Sequence, residues 1–150
     1  MYMASSVFDF EKKEIVFTLV VLFTIFVVSF TQMRIGQAKT RDAQRKGDIE
    51  LVSRAINAYL RDNNELPKAT EDGKIISCGR KALEECIWGE SDIVDPLNVV
   101  YLKHIPVDPQ AYMGKKYVYV PDLVNKKYKI YATLEIDCGN NVQCNYYVEN

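Results

Sequence analysis

The chain has 150 residues, a formal net charge of −1 and 48% hydrophobic residues. Charge this evenly balanced gives no bulk basic character, so a nucleic-acid partner is not expected. The first third is apolar or helix-patterned, which leaves about ninety residues for one small domain with a modest core.

Residues 1–14 mix Asp9, Glu11 and Glu14 with Lys12 and Lys13, and read as a cytoplasmic N-terminal segment or leader. Residues 15–33 follow with no charge at all. At about 1.5 Å of rise per residue they span roughly 28 Å as a helix, close to the hydrocarbon thickness of a bilayer. A secretory h-region is usually shorter and follows a more basic segment, although Gly36-Gln37-Ala38 is a small-x-small triplet. A buried soluble helix fits less well, because the rest of the chain is too small to cover every side of it. The expectation is a transmembrane helix over 15–33.

Residues 34–66 change pattern. Arg45, Ile49, Val52, Ile56, Tyr59 and Asn63 recur at helical spacing, and Ala55, Ala58 and Leu60 widen the stripe. Gln44, Glu50, Arg54, Asn57 and Arg61 occupy the opposite face. This predicts an amphipathic continuation of the membrane helix, its stripe turned to a sheet. Gly36 and Gly47 are weak points of about 1 kcal/mol each relative to Ala. Asn63-Asn64, with Pro67 shortly after, ends the helix. The basic run 39–46 is interrupted by Asp42, which suits lipid headgroups or filament contacts better than nucleic acid.

Residues 67–150 are read as an extracytoplasmic head. Residues 68–116 are expected to be mostly loop, with a helical turn over 81–86 and a second short helix over 92–103. Trp88 is expected to plug the core. Residues 104–109, with Pro106 and Pro109, form a rigid extended stretch. Three strands close the chain: 117–120 (YVYV), 128–134, which alternates Tyr128, Ile130, Ala132 and Leu134 against Lys129, Tyr131 and Thr133, and 144–148 (CNYYV). Short connections make them antiparallel hairpins. The fold class is therefore α+β, a long N-terminal helix packed on a small antiparallel sheet.

Cys78 with Cys86, and Cys138 with Cys144, form local pairs whose spacing suits short disulfide loops rather than structural zinc. The two other pairings stay open from spacing alone. Disulfides place the head in an oxidising compartment. The positive-inside rule points the other way, since Arg34, Lys39, Arg41, Arg45 and Lys46 all follow the span. The cysteines carry more weight.

No phosphate-binding Gly-rich loop, G-x-S-x-G or H-E-x-x-H is present. His104, the only histidine, has no nucleophile or carboxylate partner nearby in sequence and reads as a surface or half-buried residue. Asp122, Asp137, Asn140 and Asn141 lack ligand-loop periodicity and read as turn residues. No catalytic residue, cofactor or metal is expected, and the chain is not expected to be an enzyme.

Several segments in order resemble bacterial type IV pilins, and most closely the major pseudopilins of type II secretion. They are Lys39-Thr40-Arg41-Asp42-Ala43-Gln44-Arg45-Lys46-Gly47-Asp48-Ile49, Ala55-Ile56-Asn57-Ala58-Tyr59-Leu60-Arg61-Asp62-Asn63, and Leu66-Pro67. Tyr101-Leu102, Ile105-Pro106-x-Asp108-Pro109, Tyr117-Val118-Tyr119 and Tyr128-x-Ile130-x-Ala132-Thr133-Leu134-Glu135 continue the match. The resemblance implies a subunit stored in the inner membrane, with its head outside. It also implies assembly with itself or other pilins into a helical filament, driven by a pilus or secretion machinery. Phe17, Leu19, Leu22, Phe23 and Phe26 would then be membrane and assembly residues. The family has Gly before Phe at its peptidase site and Glu at the fifth mature position. Here Phe17 follows Val16, with Val21 fifth, whereas alignment through Arg41-Asp42-Ala43 puts Phe10 first and Glu14 fifth, after Asp9. Neither register supplies the Gly. The second gives Glu14 the family's assembly role. The alternative expectation is an unprocessed single-pass envelope protein whose head binds a ligand or partner.

Overall fold

Lys12 to Asn63 form one α-helix, α1, of 52 residues. The computed structural model describes residues 12–136 and 145–150. The chain divides into two compact units, one ending at Gln37 and the other comprising Ala38–Asn150.

In the first unit every described side chain is exposed. Its threonines do not oppose an apolar environment, because the helix backbone satisfies their hydroxyls. Thr18 donates to the Glu14 carbonyl, Thr24 to Val21 and Thr31 to Val28, each at 2.8 Å.

In the second unit α1 buries one stripe. Ala38, Asp42, Arg45, Ile49, Val52, Ala55, Ile56 and Tyr59 face inward, and Gln44, Glu50, Arg54, Asn57 and Arg61 are exposed. The helix runs through Gly47, where open space surrounds the missing Cβ. It stops at Asn64, whose φ of 56° is left-handed and whose N–H closes on the Leu60 carbonyl at 2.8 Å. Asn tolerates this conformation, and Pro67 soon afterwards blocks further helix.

Among the described residues three small antiparallel sheets follow. The first orders β1 (Lys68–Ala69), β2 (Ile75–Cys78) and β3 (Glu84–Glu85). The second pairs β4 (Ile93–Val94) with β5 (Val100–Leu102). The third orders β6 (Val118–Asp122), β7 (Lys127–Thr133) and β8 (Asn145–Glu149). The alternation expected in β7 holds, with Tyr128, Ile130, Ala132 and Leu134 buried between half-exposed neighbours. The unit is α+β: Ile49, Val52, Ile56 and Tyr59 of α1 share a core with Ile75, Tyr119, Tyr128 and Ile130.

The region 68–116 is mostly loop, as expected, but its short elements differ from those expected. The helical turn expected over 81–86 shrinks to a 3-10 turn, Arg80–Ala82, before β3. The helix expected over 92–103 is instead the β4–β5 hairpin. Asp95 explains the difference. Its Oδ1 accepts the N–H groups of Leu97 and Val99, both at 2.8 Å, while its carbonyl accepts that of Asn98 at 2.9 Å. An aspartate that satisfies its own turn, between β-branched Ile93-Val94 and Val99-Val100, outcompetes a helix start. The stretch 104–109 is also not uniformly extended, since His104 has φ 55°. Its N–H is fixed by Asp92 Oδ1 at 3.0 Å, and its ring stays exposed.

Trp88 is half-buried and packs against the core from its edge, meeting Tyr117 edge-on with centroids 5.5 Å apart. Cys78 and Cys86 form a disulfide with Cα atoms 5.2 Å apart. Cys138, Cys144, Asp137, Asn140 and Asn141 lie outside the described residues, as do Asp9, Phe10 and Glu11. Asp122 is a turn residue as expected, accepting the N–H groups of Val124 and Asn125 at 3.1 and 3.0 Å.

Candidate functional site: an exposed apolar helix and a buried arginine cluster

The first candidate element is the N-terminal part of α1. Glu14, Phe17, Leu19, Leu22, Phe23 and Phe26 all lie there on described helix, and Phe17 is 71% exposed. Among the described residues this is the one helix long and apolar enough to cross a membrane, and none of its apolar segment is covered. Phe26 and Phe30 stack with centroids 6.4 Å apart, and the Arg34 guanidinium sits 5.1 Å over the Phe30 ring. An arginine folded back on an aromatic face keeps its stem in apolar surroundings and its head free to reach water.

The second element is within the other unit. Arg45 occupies the apolar stripe of α1, yet its side chain is 0% exposed. A buried guanidinium needs partners for five N–H donors. Nε donates to Asp108 Oδ2 at 2.8 Å, and Nη2 to Asp108 Oδ1 at 3.2 Å and Gln110 Oε1 at 2.9 Å. Nη1 donates to Asp42 Oδ1 at 2.8 Å and Glu135 Oε1 at 2.7 Å. Every donor has an acceptor.

The acceptors are tied down in turn. Asp42 accepts the backbone N–H groups of Glu135 and Ile136, both at 2.9 Å. Asp108 Oδ1 accepts the Gln110 N–H at 2.7 Å. Arg41 forms a two-pronged pair with Glu135, Nε to Oε1 at 2.7 Å and Nη2 to Oε2 at 2.6 Å. The hydrogen bond from Arg41, and then that from Arg45, hold the Glu135 carboxyl down to about 2 against the opposing effect of desolvation. Burial works against the Arg45 charge, but its bonds to Asp108, Glu135 and Asp42 outweigh it, and its pKa is raised. Alongside, Tyr117 donates to Asp48 Oδ2 at 2.8 Å. Burial pushes the Asp48 carboxyl up, and this bond restrains the shift.

The carboxylates of Asp42, Asp108 and Glu135 thus converge on a guanidinium, not on an open position. Among the described residues, no acidic, His or Cys group is arranged to hold a metal ion. The cluster's chemistry is mechanical: it locks α1 to the chain before β6 and to the end of β7. The basic run read as facing headgroups or filament neighbours is therefore split, with Arg45 wholly internal and Arg41 paired to Glu135.

Sequence reading placed Arg45 in the stripe and named Asp108 and Glu135 as motif positions, without bringing them together. A charged residue at a core-facing helical position was the available signal, because it demands buried acceptors. No family model, curated protein or solved structure matches the chain.

Proposed function

We propose that this chain is a pilin-like structural subunit, held in the inner membrane by the N-terminal part of α1, with an extracytoplasmic head. It assembles through that helix, with itself or other pilins, into a type IV pilus or type II secretion pseudopilus. The reading assigns it no catalysis. One observation carries it: three of the separate segments bearing the pilin resemblance meet at a single cluster. Arg41, Asp42 and Arg45 come from the first, Asp108 from the Ile-Pro-x-Asp-Pro segment, and Glu135 from the last. Segments that resemble one family only by chance have no reason to interlock. An apolar helix exposed on every side adds support, since it exchanges lipid for neighbouring helices at small cost. The Cys78–Cys86 disulfide supports an oxidising compartment for the head.

A second reading is favoured by the absence of Gly before either Phe10 or Phe17. In it the chain is an unprocessed single-pass envelope protein whose head binds a ligand or partner. The mature N-terminus and intact mass of native protein from membranes separate the two. A start near Phe10 or Phe17 supports the filament subunit. A start at Met1, with no filament or secretion component co-purifying, supports the second reading. A start near Lys39 defeats both.

A further inference from the structure

Among the described residues, one strand of the head leaves a long edge open. β1, β3 and β4 have two residues each and β5 three, too short to offer much. The outer edge of β6 is sealed. Tyr119 N–H donates to the Gly73 carbonyl at 2.9 Å, and Pro121, two residues on and facing the same way, has no N–H to give. β8 differs. It lies at the end of the β6–β7–β8 sheet, and its five residues pair with β7 without a bulge. Beyond that pairing, no backbone bond of Tyr146, Tyr147, Val148 or Glu149 is found among the described residues.

Proteins guard such edges with lysine, proline, a bulge or a covering segment. β8, Asn-Tyr-Tyr-Val-Glu, carries none of the first three, and its one charge, Glu149, is shared with Lys129 of β7 at 3.2 Å. The core also stops short there. Tyr146 and Val148 pack against it yet stay half-exposed, and Tyr147 on the other face is 46% exposed. Open backbone donors and acceptors, flanked by half-covered apolar side chains, make a surface for strand addition. The backbone then supplies affinity, and alternate side chains supply specificity.

The strand that β8 already accepts shows the chemistry of the occupant. β7 sets Ile130 against Val148, Ala132 against Tyr146, Tyr131 against Tyr147 and Lys129 against Glu149. A second copy is a poorer match. Its β6 edge is sealed, and its β8 brings no cation to Glu149. Antiparallel pairing about Tyr147 sets Asn145 there, and parallel in-register pairing sets a second Glu149.

We propose that the outer edge of β8 binds an extended segment of another protein, antiparallel and similar to β7. The segment is apolar beside Tyr146 and Val148, aromatic beside Tyr147 and basic beside Glu149. The proposal does not depend on filament assembly.

The test uses the full chain in detergent and a synthetic peptide with the β7 sequence, residues 127–133, capped at both ends. Hydrogen exchange is read at each β8 amide. Alternate amides point to β7 and exchange slowly; the others point outward and should exchange fast in the free protein. With peptide at about ten times its Kd, the outward set should slow about tenfold, while the amides of β1 and β3 do not change. Changing the peptide's third residue to Glu, opposite Glu149, should weaken binding about two- to fivefold. No binding at millimolar peptide would overturn the proposal. So would binding that leaves the outward amides fast, which would put the peptide elsewhere. Outward amides already slow in the free protein would overturn it too: in a dimer a second copy holds the edge, and in a monomer the chain covers its own.

Discussion

Replacing Arg45 by Met keeps the volume of the stem and removes the guanidinium. The loss is unevenly shared. Asp42 keeps the N–H groups of Glu135 and Ile136, and Glu135 keeps Arg41. Asp108 loses both guanidinium contacts and retains only the Gln110 N–H among its side-chain bonds, with a side chain 1% exposed. The uncompensated charge therefore falls on Asp108. Breaking a buried pair in this way costs about 3–5 kcal/mol. Denaturant unfolding of the full chain in detergent, followed by Trp88 fluorescence, reads this directly, because Trp88 packs against Tyr117 in the same unit. Adding Asp108→Asn to Arg45→Met should recover part of the loss by removing the orphaned charge. Arg45→Lys should not rescue, since an ammonium has about three donors and no planar fork. The reasoning is refuted if Arg45→Met costs under about 1 kcal/mol, the scale of a solvent-exposed pair. It is also refuted if the Asp108→Asn addition recovers nothing.

Three further perturbations test separate parts of the head. The Glu135 carboxyl is held near 2 from an ordinary 4.5, so its stabilising effect is complete above the ordinary value and disappears as pH falls towards 2. At about 1.36 kcal/mol per pH unit this is at most about 3 kcal/mol, reduced by solvent screening at a partly exposed carboxylate, and the stability curves of wild type and Glu135→Gln should converge on acidification. Changing Cys78 and Cys86 to Ser opens a link with a sequence separation of 8. Loop-closure entropy puts that cost at about 2.5 kcal/mol, read as the difference in unfolding free energy between wild type and variant under oxidising conditions. Gly47→Ala places a methyl in open space on an exposed helical site, and should raise the unfolding free energy by about 1 kcal/mol.

How far the fold could be read from the chain depended on the kind of signal. Periodicity gave α1 and its buried stripe, because Ile49, Val52, Ile56 and Tyr59 repeat over several turns. It gave β7, because alternation there is clean. It failed over residues 92–103, where Asp95-Pro96 looks like a helix start and only the Asp95 side-chain bonds reveal a turn. The three short strands β1, β3 and β4 have two residues each, too few to show any period. The cluster was legible in its parts only. Arg45 and Asp108 are 63 residues apart, and Arg45 and Glu135 are 90 apart. No local rule pairs positions so distant; the fold alone brings them together.

The cluster supplies something the apolar stripe cannot. A stripe of aliphatic residues repeating every three or four positions tolerates sliding by one helical turn, because one branched side chain replaces another at modest cost. Arg45 does not tolerate it. A turn of slippage one way would bring Ile49 to its seat and leave Asp108 unpaired; a turn the other way would bring Arg41 there but carry Arg45 into the seat of Ile49, among aliphatic neighbours. The buried charges therefore fix the register of α1 on the sheet, the best-attested use of a polar group in a core. Glu135 strengthens the lock because it sits just beyond β7 and binds two arginines of the helix at once. Under the proposed function this matters mechanically. A helix that carries a head through extraction and packing must transmit force without shifting on its own sheet. A many-bonded guanidinium at the start of the head's helix resists such a shift far better than an apolar contact of equal area.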